Sequence, residues 1–256
     1  TYVRKAVETG ADFIVSGAGL PLELPAMVSD TDIAIAPIVS GARAAALILK
    51  YWEKKYHRYP DFIVIEGPEA GGHLGFSRKQ LEEKMDYDME ISEILKLVRV
   101  YEKKAERKIP VAVGGGICDK ARADHGFMLG ADLIQVASRF ITTKECDADS
   151  AYKDAYLKAR KEDIVLVSSP VGMPGRAIRN PFLERVEKGE FQRPQKCFGC
   201  LKHCNPAEIP YCITEALIHA VKGDTENGLL FCGAQVYLAN QIETVQDVME
   251  DLLEGL

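Results

Sequence analysis

The sequence predicts an α/β fold with a parallel sheet, of the (β/α)8 TIM-barrel class. Short apolar segments of strand length alternate with longer segments of helical period, which is typical of parallel strands joined by helices. Each strand segment is followed by small residues, as expected where loops at the carboxyl ends of strands bind ligands. At 256 residues and 47% hydrophobic content, the chain can bury a sizeable core.

Five strands of the parallel type are predicted at β/α spacing. In chain order they are Ala11 to Val15, Ile33 to Val39, Phe62 to Ile65, Pro110 to Val113 and Leu133 to Val136, the last within an apolar run that reaches Phe140. Helical patterns alternate with these strands at Tyr2 to Glu8, Ala42 to Lys55, Ile91 to Glu106 and Lys120 to Leu129. Right-handed crossovers are expected to join neighbouring strands.

The loop after the third strand predicts an active site. The apolar run stops at Glu66, and the pair Gly71 and Gly72 then leads to His73. Glycines lack a Cβ atom, so the backbone can approach a flat or phosphorylated ligand closely. His73 is the only group in this loop whose ordinary pKa lies near neutrality. The alternatives are a surface turn with an incidental histidine and a structural role in which His73 only hydrogen-bonds a loop carbonyl.

A second glycine cluster, Gly114 to Gly116, follows the fourth strand, and Ser138 follows the fifth. In (β/α)8 barrels the loops after the last two strands commonly bind phosphate through backbone N–H groups. These two loops therefore predict a phosphate site. Their spacing does not match the GxGxxG pattern of a Rossmann fold.

Four motifs, taken in order, resemble the nitronate monooxygenase family. They are SGAGLP (16–21), EGPEAGGHLG (66–75), PVAVGGGI (110–117) and QVASRF (135–140). Members of this family, formerly called 2-nitropropane dioxygenases, are FMN-dependent TIM-barrel enzymes, and the flavin-dependent enoyl-ACP reductases of the FabK type are near relatives. The resemblance covers roughly residues 1 to 183, and four ordered motifs are more specific than any single one.

The resemblance implies that His73 is the catalytic residue. It implies FMN contacts from the strand-end and loop residues Glu66, Gly71, Gly72, Gly115, Gly116, Gln135, Val136, Ala137 and Ser138. Glu66 stands where nitronate monooxygenases often carry glutamine and enoyl reductases carry glutamate. Two reactions therefore stay open: oxidation of an alkyl nitronate with O2, and reduction of an enoyl thioester with NAD(P)H.

The resemblance also implies that the five strands are the fourth to the eighth of a barrel. Family barrels open with a Gly-Gly-Met-like loop, and their third strand ends in an asparagine that contacts FMN; neither feature occurs here. Five strands cannot close a barrel, so we expect a fragment or a chain that needs a partner. This leaves a third alternative, a flavin-free binding or structural subunit.

The C-terminal part changes character, which predicts a barrel domain over 1–183 and a helical extension over 184–256. A zinc or iron–sulfur site is predicted at Cys197, Cys200, Cys204 and Cys212, with His203 among them. The alternative is a set of reduced, buried cysteines. Helices are expected at Ile213 to Val221 and at Thr244 to Leu253, the second starting at a capping box.

Two further C-terminal segments are less regular. The run Val165 to Arg176 is broken by proline and glycine, which predicts an excursion near the barrel mouth. There, Arg176 and Arg179 either meet an anionic group or stay solvated. The segment Gly228 to Ala234 is expected to be a short strand or a turn.

Composition restricts the classes of function. A net charge of −6 argues against nucleic acid as the main partner, and no apolar run approaches the about 20 residues of a membrane span. Seven cysteines fit a reducing compartment and predict a cytoplasmic protein. The expected partners are a small-molecule substrate and O2, and a homodimer is an open option.

Overall fold

The structure, a computed structural model, describes residues 2–83, 85–200 and 204–255. Its strands are β1 Phe13–Ser16, β2 Ala34–Val39, β3 Ile63–Glu66, β4 Gly72–His73, β5 Val111–Gly114, β6 Leu133–Gln135, β7 Ile164–Ser168 and β8 Pro174–Ile178. The strands belong to two sheets, one parallel and one antiparallel.

Helices precede or follow most of these strands. They are α1 Tyr2–Glu8, α2 Leu24–Met27, α3 Ala42–Tyr56, α4 Arg78–Glu82, α5 Tyr87–Ala105, α6 Lys120–Met128, α7 Ser138–Ile141, α8 Ser150–Lys158, α9 Pro181–Glu187, α10 Ile213–Val221 and α11 Val245–Leu253. Short 3-10 helices lie at Lys161–Asp163 and Val236–Leu238. Within the described residues, no helix is both long and apolar enough to cross a membrane.

The chain divides into two compact units. The first unit comprises residues 1–68, 83–114 and 121–135, and the second comprises 69–82, 115–120 and 136–256. Neither unit is a continuous stretch of sequence. The predicted division after residue 183 stays a prediction.

The first unit contains a five-stranded parallel sheet in the order β1-β2-β3-β5-β6, which confirms all five predicted strands. The register places Glu66 opposite Gly114 and Gly114 opposite Gln135, so the carboxyl ends of β3, β5 and β6 are aligned. Residues of β3 and β5 are almost all buried, which explains their continuous apolar sequence. This alignment positions the polar residues that end the strands.

Helices α3 and α5 pack against each other in the same unit, and their apolar stripes form its core with the sheet. Trp52 is fully buried, and its indole N–H donates to the Pro21 carbonyl oxygen at 3.2 Å. This bond satisfies the one polar atom of the largest side chain in the core.

The second unit contains a three-stranded antiparallel sheet in the order β4-β8-β7. Strands β7 and β8 form a hairpin, so the run Val165 to Arg176 is strand, turn and strand rather than one broken strand. The helix predicted at Ile213 to Val221 is confirmed, and Thr244 caps α11 through reciprocal bonds with Asp247.

Two predicted boundaries are wrong for identifiable reasons, and one of the two alternatives for Gly228 to Ala234 is not found. Helix α5 begins at Tyr87 rather than Ile91, because acidic residues in its first turn favour a helix N-terminus. The apolar run ending at Phe140 leaves the sheet after Gln135, which pairs with the last residue of β5, and turns helical at Ser138. Gly228 to Ala234 forms no strand; Phe231 makes only an isolated bridge, to Ala177.

Candidate active site

Strand β4 holds His73 in the antiparallel sheet of the second unit. His73 lies opposite Gly175 in the ladder between β4 and β8, and the next residue, Leu74, donates its N–H to the Pro174 carbonyl oxygen at 2.9 Å. The hydrogen bonds of this ladder fix the backbone position of His73. The backbone around His73 is therefore part of a sheet and not an isolated surface turn.

The His73 side chain has two defined contacts. Its Nε2 lies 2.8 Å from Ser169 Oγ, and its ring packs edge to face on Phe231 with centroids 4.9 Å apart. Burial lowers the pKa of the half-buried imidazole below its usual range. His73 is therefore neutral at neutral pH and has the form required of a general base.

Gly71 is required by close packing. A Cβ atom at this position would lie 2.5 Å from the carbonyl carbon of Cys232, a separation that no real side chain tolerates. Arg176, on strand β8, donates a hydrogen bond to the Ala70 carbonyl oxygen and accepts one from the Cys232 N–H at 3.1 Å through its own carbonyl. The glycine loop is thus held between β8 and the Cys232 segment.

Arg176 and Arg179 have different surroundings. Arg179 is exposed and pairs with Glu187 at 3.1 Å. The guanidinium of Arg176 is half-buried, and no carboxylate of the described residues forms an ion pair with it. Burial lowers the pKa of Arg176. Of the two predicted arginines, Arg176 is therefore the one without an ion pair among the described residues, and it lies on the strand that pairs with β4.

The second glycine loop also lies in the second unit. Gly115 and Gly116 have φ angles of 103° and 77°, in the region that favours glycine. Among the described residues, neither backbone N–H of this pair donates to a protein acceptor. A Cβ atom at Gly116 would lie 2.2 Å from Oε2 of Glu69, which also accepts a 3.1 Å hydrogen bond from Gln235.

Residues 136–138 connect β6 to α7. Val136 is half-buried and Ala137 exposed. Ser138 Oγ accepts a hydrogen bond from the Gly233 N–H at 2.9 Å, which leaves its own O–H free to donate. Of the predicted site residues, the second unit thus contains the glycine pairs, His73 and Ser138.

The first unit contains the other predicted polar pair. Glu66 ends β3 and Gln135 ends β6, and the Gln135 amide donates to the Glu66 carboxylate at 3.5 Å. Burial raises the pKa of Glu66 above its usual range, and the Gln135 hydrogen bond opposes this shift. The Tyr87 hydroxyl contacts the Glu66 carbonyl oxygen at 3.1 Å and the Ser40 carbonyl oxygen at 3.0 Å, which ties neighbouring loops together.

A family model for nitronate monooxygenase matches residues 1–255. The chain belongs to the nitronate monooxygenase family. A probable nitronate monooxygenase of Staphylococcus aureus strain Newman is 31% identical over 134 residues, which are 52% of this chain and 36% of that relative. The matched segment therefore spans about a third of the length of this curated relative.

Two solved structures are similar over 98% of the chain. FabK from Thermotoga maritima has 25% identity, a TM-score of 0.75 and 70% of its own length covered. Nitroalkane oxidase from Streptomyces ansochromogenes has 18% identity, a TM-score of 0.71 and 67% of its length covered. With the nitronate monooxygenase family, these structures imply a TIM barrel, and the five-stranded parallel sheet agrees with it.

The predicted metal site at the cysteine cluster stays a prediction. No group of three or more His, Cys, Asp or Glu side chains in the described part of the chain is arranged to hold a metal ion, and His203 lies outside that part. Cys197 and Cys200 are exposed, whereas Cys212 is buried. Burial, followed by the electrostatic influence of the other three cysteines, raises the pKa of Cys204.

Two contacts of His73 were not anticipated. Ser169 lies in the Ser-Ser-Pro turn after β7, and only a hairpin pairing with β4 could have pointed to it. Phe231 is an apolar residue without any distinguishing motif. Both reach His73 through long-range packing that local sequence patterns do not encode.

Proposed function

We propose that this chain carries the catalytic histidine of an FMN-dependent oxidoreductase of the nitronate monooxygenase type, which oxidises alkyl nitronates with O2. The observation that carries the proposal is the pairing of β4 with β8, which holds a neutral imidazole, His73, on the strand next to the one that carries Arg176. A base on one strand and a cation without an ion pair among the described residues on the neighbouring strand suit a substrate that is, or becomes, an anion.

His73 acts on the substrate proton. With a neutral nitroalkane, the imidazole takes a proton from the carbon next to the nitro group, and the electron pair stays on the substrate as the nitronate. With a preformed nitronate, the imidazole takes no proton and lies beside the anion. A positioned general acid or base of this kind contributes about 10²–10⁴ in rate.

Arg176 supports an anionic substrate. A half-buried guanidinium without a carboxylate partner is a costly arrangement unless an anion completes it. The two nitronate oxygens match the paired N–H donors of a guanidinium. Of the two alternatives for Arg176, we therefore favour binding of an anionic substrate. The hydrogen bond from Arg176 to the Ala70 carbonyl holds the glycine loop.

The residues present fit FMN by their donor chemistry. In the second unit, the N–H groups of Gly115 and Gly116 and the free O–H of Ser138 are unused donors of the kind that bind phosphate. In the first unit, Glu66 and Gln135 present a polar pair at strand ends. FMN, when bound, supplies the electron transfer between the substrate and O2.

An enoyl thioester reductase is the second candidate, and Glu66 favours it. Glu66 stands where, by the resemblance described above, enoyl reductases carry glutamate, and it is half-buried at a strand end. In that case NAD(P)H supplies electrons, and His73 protonates or polarises the thioester. Consumption of NAD(P)H without any nitronate separates the two reactions.

We also infer three properties that follow from the family and the sequence. The five parallel strands correspond to the fourth to the eighth of the barrel. The protein acts in the cytoplasm. The four clustered cysteines bind zinc or an iron–sulfur cluster once a metal is supplied.

The experiment is an absorbance spectrum of the purified protein from about 300 to 600 nm, with identification of the chromophore that heat releases. Released FMN, followed by nitronate-dependent O2 uptake without NAD(P)H, is the expected result. A colourless protein that cannot be loaded with FMN overturns the proposal. Oxidation of NAD(P)H in place of nitronate turnover selects the enoyl reductase.

A further inference from the structure

Ser169 is held against His73 by the backbone of the β7–β8 hairpin. The turn that carries it is closed by two bonds, from the Ser169 N–H to the Met173 carbonyl at 3.2 Å and from the Gly172 N–H to the Ser169 carbonyl at 3.0 Å. The same hairpin pairs with β4 through β8. The 2.8 Å contact between Ser169 Oγ and His73 Nε2 thus joins two fixed backbones.

The Ser169 hydroxyl is buried, with 8% of the residue exposed. Buried hydroxyls are retained where they are hydrogen-bonded. Besides His73, Ser169 Oγ accepts a bond from the Val171 N–H at 3.4 Å. A serine hydroxyl has two acceptor lone pairs and one donor, so Ser169 can form one further hydrogen bond.

Tyr211 is the candidate for that further partner, because its hydroxyl is buried and unpaired among the described residues. Its side chain is 1% exposed and packs edge to face on Phe182 with centroids 5.0 Å apart. Among the described residues, its hydroxyl has no hydrogen-bond partner. Burial raises the pKa of Tyr211 to about 12, and the Ser169 side chain opposes this shift.

We propose that Ser169 is a positioning residue for His73 and that Tyr211 supports Ser169, so that the three side chains form one polar relay. Its catalytic use rests on the proposed function of His73. None of the four motifs that suggested the family contains Ser169 or Tyr211. The relay has the form of a base oriented by a third group, which recurs among enzymes on unrelated folds.

The relay assigns the tautomer of His73. The Val171 N–H occupies one lone pair of Ser169 Oγ, the His73 Nε2–H occupies the other, and the serine O–H points to the Tyr211 oxygen. Nδ1 is then the basic nitrogen. When the substrate C–H bond breaks, Nδ1 gains the proton, the electron pair stays on the substrate, and Nε2–H remains on Ser169.

The titratable groups on the segments packed against β4 are Arg176 on β8, with Glu69 and Cys232 near its guanidinium, and Tyr211, whose pKa the Ser169 side chain lowers. Burial alone accounts for the lowered pKa of the imidazole. Ser169 accepts from the ring and stabilises the imidazolium more than the neutral form. Removing the hydroxyl therefore lowers the pKa of His73 further.

The test is a long-range ¹H–¹⁵N NMR titration of the full chain, which has five histidines, with His73 assigned from a His73→Gln variant. The wild type is expected to show the Nε2–H tautomer. Ser169→Ala should give a mixture of the two His73 tautomers and lower the pKa of His73. Tyr211→Phe should change both in the same direction, but less. Ser169→Thr keeps the hydroxyl and should give the wild-type signal. Ser92→Ala, on an exposed helix surface, is the control.

Activity gives a second readout. Ser169→Ala should reduce kcat roughly tenfold, a part of the about 10²–10⁴ that a general base contributes, with little change in KM. An unchanged tautomer and pKa in folded Ser169→Ala and Tyr211→Phe overturn the relay. Because NMR needs neither FMN nor substrate, a shifted titration without nitronate turnover rejects only the proposed function.

Discussion

The imidazole of His73 and the ring of Phe231 pack edge to face at an interplanar angle of 71°. The Phe231 carbonyl oxygen is in turn held by the Tyr156 hydroxyl, which donates to it at 2.5 Å and is itself fully buried. Aromatic pairs of this geometry restrict the rotation of both rings. The orientation of His73 therefore depends on a tyrosine that does not touch it.

Replacing Tyr156 with phenylalanine should destabilise the protein by about 1–3 kcal/mol, because the Phe231 carbonyl and the Tyr152 hydroxyl each lose a buried partner. Urea unfolding measures the change. Tyr237→Phe, which removes a half-buried hydroxyl bonded only to Gln235, is the matched control and should cost less. Equal losses in the two variants contradict the expectation.

Replacing Gly71 with alanine should cost about 1–3 kcal/mol and lower the FMN content, because the new methyl group meets the Cys232 backbone. Thermal unfolding and released flavin measure both effects. Gly126→Ala is the control, since its methyl group meets only Ile134 at 3.7 Å and lies in helix α6. Helix propensity predicts that this control gains up to about 1 kcal/mol. A harmless Gly71→Ala contradicts the packing argument.

Replacing Arg176 with methionine should raise the KM for a nitronate at least tenfold, since the variant removes the free charge and keeps an apolar chain of similar length. Steady-state O2 uptake measures KM and kcat separately. Arg179→Met removes a paired, exposed charge and should leave both unchanged. A similar KM in the two variants argues against substrate binding by Arg176.

Replacing Glu66 with glutamine should change how stability depends on pH. Burial raises the folded-state pKa of Glu66 above 4.5, so the folded protein retains this proton more strongly than the unfolded chain does. The resulting stabilisation is present below pH 4.5 and is lost as pH rises through the folded pKa. Glu66→Gln should lose less stability between pH 4.5 and 8 than the wild type. Parallel pH profiles of Tm contradict this sign.

The parallel sheet was predictable because it is a local signal repeated five times. Strands such as Ile63–Glu66 are continuous apolar runs bounded by small residues, and their helices carry regular apolar stripes. The antiparallel sheet was not predictable in the same way. Strand β4 is only two residues long, and its partner lies about a hundred residues further along the chain.

The sequence predicted some residues of the candidate site and missed others. His73 and its glycine pair follow a recognisable motif, and the structure gives each a definite environment. Ser169 and Tyr211 carry no motif, because their position follows from hairpin pairing and side-chain packing. The metal site at the cysteine cluster stays a prediction, since the described residues do not bring three ligands together.

The most direct test of the account is O2 uptake by the FMN-loaded protein with a secondary alkyl nitronate, in the wild type and in His73→Gln. Glutamine fills the site and keeps a polar end, so FMN content should be equal in the two proteins. The account predicts that His73→Gln lowers the nitronate-dependent rate by about 10²–10⁴. Equal rates at equal FMN content would contradict the catalytic role of His73.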